Sequence, residues 1–133
     1  MTDRNATTAH QGAGKVVNLR EKLGLVADHW VPRVVAQMND YQFKIVKIKG
    51  EFVWHSHADT DETFFVVDGE LSIDLRDQGT VRLRAGDLYV VPRGVEHKPH
   101  AEHEVSVMLI EPSGVRNTGD EENERTQPND VWI

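Results

Sequence analysis

From residue 33 onward, apolar residues recur at every second position in short runs separated by turn residues. Such alternation puts successive side chains on opposite faces of an extended strand, so each strand needs something to cover its apolar face. Val34, Ala36 and Met38 alternate with Arg33, Val35 and Gln37, Asn39-Asp40 supplies turn chemistry, and Tyr41, Phe43 and Ile45 alternate with Gln42, Lys44 and Val46. This predicts a hairpin. Phe64 to Val67, closed by Asp68-Gly69, and the returning Leu71, Ile73 and Leu75 predict a second one. Gln78-Gly79, Ala85-Gly86 and a Pro92-Arg93-Gly94 corner punctuate Val81 to Leu83 and Leu88 to Val91, and Val105 to Ile110 is the last strand. Short strands at even spacing imply a sandwich or a closed barrel.

The two ends follow other rules. Residues 1–15 are polar and aperiodic and read as a disordered lead-in. Asn18 is a helix cap, and Leu19, Leu23, Val26 and Trp30 lie on one face of a 3.6-residue period, which predicts a helix ended by Pro32. After Pro112 the chain is charged and hydrophilic until Val131-Trp132-Ile133. Residues 16–112 are therefore expected to form the barrel domain. Residues 113–133 are expected to form a polar C-terminal tail; a solvated tail is the simpler reading, and docking of its apolar, Trp-containing end on this chain or on a partner is the alternative.

Composition removes several classes of function. A chain of 133 residues makes one domain that can bury a real core. Lys and Arg number 15 against 22 Asp and Glu, with no basic stripe interleaved with aromatics, so nucleic acid is not an expected partner. There is no Cys, which excludes disulfides, thiolate nucleophiles and Cys-based zinc sites. No run approaches the ~20 apolar residues of a membrane span, and a cytoplasmic protein is the default expectation.

Two patterns carry the chemistry. The first runs through Gly50, His55, His57, Glu62 and Gly69, and the second through Gly86, Pro92, Gly94 and His97. His55 and His57 leave the same face of an extended strand, Glu62 begins the next strand, and His97 follows a turn that Pro92 and Gly94 fix. Three imidazoles and a carboxylate suit one divalent transition metal, such as Zn, Fe, Mn, Ni, Co or Cu, rather than Ca or Mg. The pairing resembles the two signature motifs of the cupin superfamily over residues 41–112, and the spacer Glu70 to Ala85 resembles that of small bacterial cupins. Four residues rather than five separate Gly50 from His55, and Ala101 stands where the second motif usually ends in Asn. The resemblance implies an all-β, double-stranded β-helix barrel preceded by a short helix.

Other polar residues flank the motifs. Asp59, Asp61 and Glu51 are candidates for a general base or for holding a ligand imidazole, although solvated loop carboxylates are the simpler reading. Tyr89 either lines the pocket or is an ordinary half-buried tyrosine. Lys44, Lys47 and Lys49 read as a solvated strand face; an inward Lys44 or Lys47 would favour an anionic substrate. His10, His29, His100 and His103 read as solvated, with His100 and His103 near the barrel mouth. The expected function is a metal-dependent enzyme, an oxygenase, isomerase or lyase, acting on a small polar molecule in the barrel. The alternative is a non-catalytic module that binds or senses a small molecule or metal. A homodimer is expected, paired through Val34 to Met38 or through the Val131-Trp132-Ile133 end.

Overall fold

The computed structural model describes residues 14–133. Most of the expected lead-in, residues 1–13 with His10, lies outside the described residues. Asn18 begins the one helix among the described residues by accepting a hydrogen bond from the Glu21 amide at its Oδ1 (2.9 Å), and α1 spans Leu19–Leu23. The helix is much shorter than predicted. Gly24 caps it, and Trp30 takes a φ of 67° that turns the chain out of helical geometry. Leu23 and Val26 are nonetheless buried, packed with Val35 and Ile45. No helix among the described residues is long and apolar enough to cross a membrane.

Seven antiparallel strands follow: β1 (Arg33–Met38), β2 (Tyr41–Glu51), β3 (Glu62–Asp68), β4 (Glu70–Leu75), β5 (Gly79–Arg84), β6 (Leu88–Val91) and β7 (His97–Pro112). They form the double-stranded barrel that the resemblance implies, one of the closed architectures that the alternation allows. The order is β1-β2-β7-β3-β6, with β4 joining β7 to β5. β7 is the shared strand: it pairs with β2 along most of its length, with β4 through His97 to His100 and with β3 through Ser106 to Ile110. It is longer than the Val105 to Ile110 run suggests, because its first half is polar and contains Pro99. The ladder between β2 and β7 shifts register just where Gly50 faces Ala101, so the two departures from the motif pattern are cross-strand neighbours.

The first hairpin forms as predicted, with Met38 opposite Tyr41. The second does not. β3 and β4 each pair with β7 and not with one another, so Asp68-Gly69 makes a corner between two parts of the barrel. Gly69 has a φ of 98°, and a Cβ there would come within 3.0 Å of the Glu104 carbonyl oxygen. Glycine is needed both for the turn and for the close passage over β7.

Val66, Leu71, Ile73, Val105 and Val107 are completely shielded from solvent and fill the barrel, each contributing roughly 1.5–3 kcal/mol of hydrophobic stabilisation. The β1-β2 ribbon is covered on both faces, since α1 packs outside while Val46 and Ile48 point into the barrel. Gln42 and Lys44, which alternation marks only as the polar partners of Tyr41 and Phe43, are buried, whereas Tyr41 is exposed and Phe43 half-buried. The C-terminal segment packs on its own chain. Val34 donates to the Val131 carbonyl at 2.8 Å and accepts from Ile133 at 3.1 Å, so Val131 to Ile133 occupies the free edge of β1.

Candidate metal centre

His55 and His97 sit opposite one another and exchange both backbone hydrogen bonds, His55 N to His97 O at 3.0 Å and His97 N to His55 O at 2.9 Å. This isolated bridge puts their rings 4.3 Å apart. His57, two residues on, returns to the same side, and its carbonyl accepts from Gly94 at 2.8 Å. The Pro-x-Gly corner is thereby tied to the histidine segment. Glu62 opens β3. One donor atom from each of His55, His57, Glu62 and His97 lies within 4.8 Å of all the others, and all four residues are buried.

Backbone carbonyls fix two of the rings. His55 Nδ1 lies 3.0 Å from the Val53 oxygen and His97 Nδ1 lies 3.0 Å from the Val95 oxygen. A carbonyl only accepts, so both Nδ1 atoms carry the proton and the Nε2 lone pairs point toward the cluster. His97 Nε2 and His57 Nε2 face the same carboxylate oxygen, Glu62 Oε1, at 3.2 and 3.3 Å. His57 Nε2 is buried without an aligned hydrogen-bond partner. Lone pairs converging on a buried carboxylate require a proton or a cation between them. The donor set and this orphaned nitrogen fit a divalent metal.

The electrostatics agree. Burial, then neighbouring His97, lowers the His55 imidazole to about 4, which keeps it neutral. Burial opposes charge on both His57 and Glu62, but their mutual contact outweighs it, raising His57 and holding Glu62 well below the usual carboxylate range. Behind Glu62 lies a buried ion pair, Lys44 Nζ to Glu111 Oε2 at 2.8 Å. Burial and the charge of Glu62 push Glu111 well above the usual range, against the pull of Lys44.

An apolar cavity of about 40 Å³ adjoins His55 and Glu62, walled mainly by Trp30, Val46, Ile48, Phe52, Phe64 and Leu109. An open polar recess of about 210 Å³ touches His57 from the other side, beside Asp59, Arg116 and Asp120.

Residues 43–113 match the family model described as a cupin domain. This chain belongs to the cupin family. It is 39% identical over 64 residues to the uncharacterized protein YdbB of Bacillus subtilis (strain 168), an overlap of 48% of this cupin and 57% of that protein. The chain thus aligns with little more than half of that relative's length. Among solved structures it is similar to a cupin-2 domain containing protein from Shewanella frigidimarina NCIMB 400, with 59% identity, a TM-score of 0.71 and coverage of 73% of this chain and 94% of that one. Protein NMB1881 from Neisseria meningitidis is 34% identical with a TM-score of 0.69, over 74% of this chain and 100% of its own.

The residues flanking the motifs of this cupin have other work. Asp61 Oδ1 accepts from the Arg93 amide at 2.8 Å, which joins the Glu62 strand to the Pro92 corner. Glu51 pairs with Lys98 at 3.1 Å, and Asp59 is exposed. None of them holds an imidazole of the cluster; the carbonyls of Val53 and Val95 do that for His55 and His97. Tyr89 packs against the main core rather than the cavity. Lys44 does point inward, but Glu111 takes its charge, so it offers nothing to an anionic substrate. His100 pairs with Asp74 at 3.0 Å, His29 with Glu104 at 2.7 Å, and His103 is exposed.

Trp30, Phe52, Glu111, Asn117, Gly119 and Asp120 form the surroundings of the site, and the motifs point to none of them. Asp120 accepts from the Ala58 amide at 2.9 Å and its own amide donates to the Ser56 carbonyl at 3.1 Å, so the C-terminal segment grips the histidine segment. Only Glu111 left a signal, a carboxylate inside the apolar run Val105 to Ile110 and Pro112.

Proposed function

We propose that this cupin holds one divalent transition metal through His55, His57, Glu62 and His97 and is a metal-dependent enzyme acting on a small molecule within the barrel. The observation that carries this reading is the convergence of three imidazoles and one carboxylate, all buried, on a single point beside a cavity. A bound metal would supply Lewis acidity at the cavity wall or, for a redox-active ion, electron exchange. The chain itself fixes the His55 and His97 lone pairs, provides one negative charge through Glu62, and excludes water with the Phe52, Phe64 and Leu109 walls. Four protein donors leave a position or two for an exogenous ligand.

The test is metal analysis of protein purified without added metal, followed by a screen for turnover and oxygen consumption with Fe(II), Mn(II), Ni(II) and Zn(II). Absence of stoichiometric metal would overturn the assignment.

One observation favours the second reading, a non-catalytic binding module. Beyond the four donor residues, Asn117 is the sole polar residue lining the cavity among the described residues, and none of these lining residues is an independent general acid or base. Tight binding of an unchanged ligand that survives metal removal would decide for the module. In either case we propose a homodimer. Its support is Met38 and Tyr41, exposed at 57% and 42% at the tip of the first hairpin, since the free edge of β1 at Val34 is filled by the chain's own C-terminus.

A further inference from the structure

The apolar cavity beside the four donor residues is chemically one-sided. His55, Glu62 and Asn117 are its polar lining residues, and the rest of the lining is hydrocarbon or aromatic. Its volume of about 40 Å³ holds on the order of three water-sized groups. The polar recess on the other side is larger but reaches only His57 among the four. A ligand held by the metal with its body in the recess would leave the apolar cavity empty.

Of the lining residues, Trp30 and Asn117 are each held in place by hydrogen bonds. Trp30 donates from Nε1 to the Lys49 carbonyl at 2.9 Å and stacks on Phe52 with centroids 4.8 Å apart and planes 16° from parallel. The Arg125 guanidinium lies 4.9 Å from the Phe52 centroid and 5.6 Å from that of Trp30. Asn117 spends its amide within the C-terminal segment, donating from Nδ2 to the Arg125 carbonyl at 3.0 Å and accepting from the Gln127 amide at 2.9 Å. It therefore acts as a wall. Asn117 and Pro32 also line a second, smaller cavity of about 10 Å³ over Lys44 and Glu111, so Asn117 helps to partition the two.

We propose that the site takes a ligand with a metal-binding head group and a compact apolar body of a few heavy atoms, and that Trp30 and Asn117 set the size limit of that body. This rests on the metal reading above and replaces the small polar molecule that the motifs alone suggested. A hydroxyl on the buried body would find no free partner on the Val46, Ile48, Phe64 and Leu109 walls, and an unpaired buried hydroxyl weakens binding by about tenfold or more. A six-membered ring exceeds the space that Trp30 leaves.

The experiment uses the Co(II)-loaded chain, whose visible absorption reports coordination directly, titrated with three hydroxamates that share one chelating head. Propionohydroxamate and glycolohydroxamate are nearly isosteric and differ by a methyl against a hydroxyl; benzohydroxamate adds a ring. The expected result is that propionohydroxamate binds about tenfold tighter than either of the others. Trp30→Ala should raise benzohydroxamate affinity about tenfold while moving propionohydroxamate by less than about threefold. Asn117→Ala should act in the same direction, and it carries the size test should Trp30→Ala fail to fold. Equal or tighter binding of glycolohydroxamate by the native chain would overturn the apolar body. Benzohydroxamate affinity unmoved in the folded variants would overturn the size limit. A chain that takes up no Co(II) overturns the metal reading, whereas one that loads Co(II) and responds to no hydroxamate overturns the ligand inference alone.

Discussion

Gly119 packs directly against the Ser56 carbonyl, so closely that a methyl group at position 119 would overlap it. Gly119 also has a φ of 73°, and Ser56 lies between His55 and His57. Gly119→Ala is therefore expected to displace the histidine segment, lowering stability by about 1–3 kcal/mol and reducing metal content. Thermal unfolding with metal analysis checks this; unchanged metal occupancy would show that the C-terminal segment does not hold the site.

His57→Ala deletes an imidazole whose buried Nε2 has no aligned partner, and His57 is outside the apolar clusters that fill the barrel. The variant should keep the circular dichroism of the native chain and lose most of its metal. Full occupancy in a folded variant would remove His57 from the ligand set.

Lys44→Met should cost about 1–3 kcal/mol, because it removes the buried donor to Glu111 Oε2 and leaves that carboxyl, already pushed toward its protonated form, short of a partner. The double variant Lys44→Met/Glu111→Gln should recover most of that loss. Denaturant unfolding of the single and double variants measures the coupling. Equal destabilisation in both would mean that the pair is not the cause.

Much of this could be read from the alternation and spacing. His55 and His57 are two apart on extended backbone, so that pair needs only local geometry, whereas His97 and Glu62 join it through the pairing of distant segments, which the two motifs imply but no local period records. The phase of a strand is harder to read than its period. Where α1 covers the outside of β2, apolar residues occupy both faces, and nothing local says that Lys44 points inward. Asp68-Gly69 serves a hairpin or a corner equally well, and the choice is made by β7, which claims both neighbours. Trp30, Asn117 and Gly119 meet the site only through contacts between distant parts of the chain, which no local pattern records.

Acid should weaken the metal-free chain. The folded value of His55, about 4, lies below the unfolded 6.5, so its contribution is complete above 6.5 and is lost as pH falls from 6.5 through 4, amounting to about 3 kcal/mol. Glu62, held below its usual range, adds a further loss at lower pH, while His57, raised, works in the opposite direction. Chelator-treated protein should melt progressively lower between pH 7 and pH 4. A flat profile would show that His55 is not held neutral.

Removing residues 129–133 takes away both Val34 hydrogen bonds and the packing of Ile133 on Val35 and Ile45. Stability should fall by about 2–3 kcal/mol with no change in metal content. Light scattering on the same variant tests whether this end also joins two copies: a dimer that persists places the subunit contact elsewhere.

The carbonyls of Val53 and Val95 give the protonation pattern of His55 and His97 an unusual robustness to mutation. In many metal sites the group that orients an imidazole is a carboxylate, which one nucleotide change can delete. Here it is main chain, so any residue at 53 or 95 that keeps the extended conformation presents the same oxygen. The chain can therefore vary those two side chains, and with them the surface around the site, without changing which nitrogen of either ring is available.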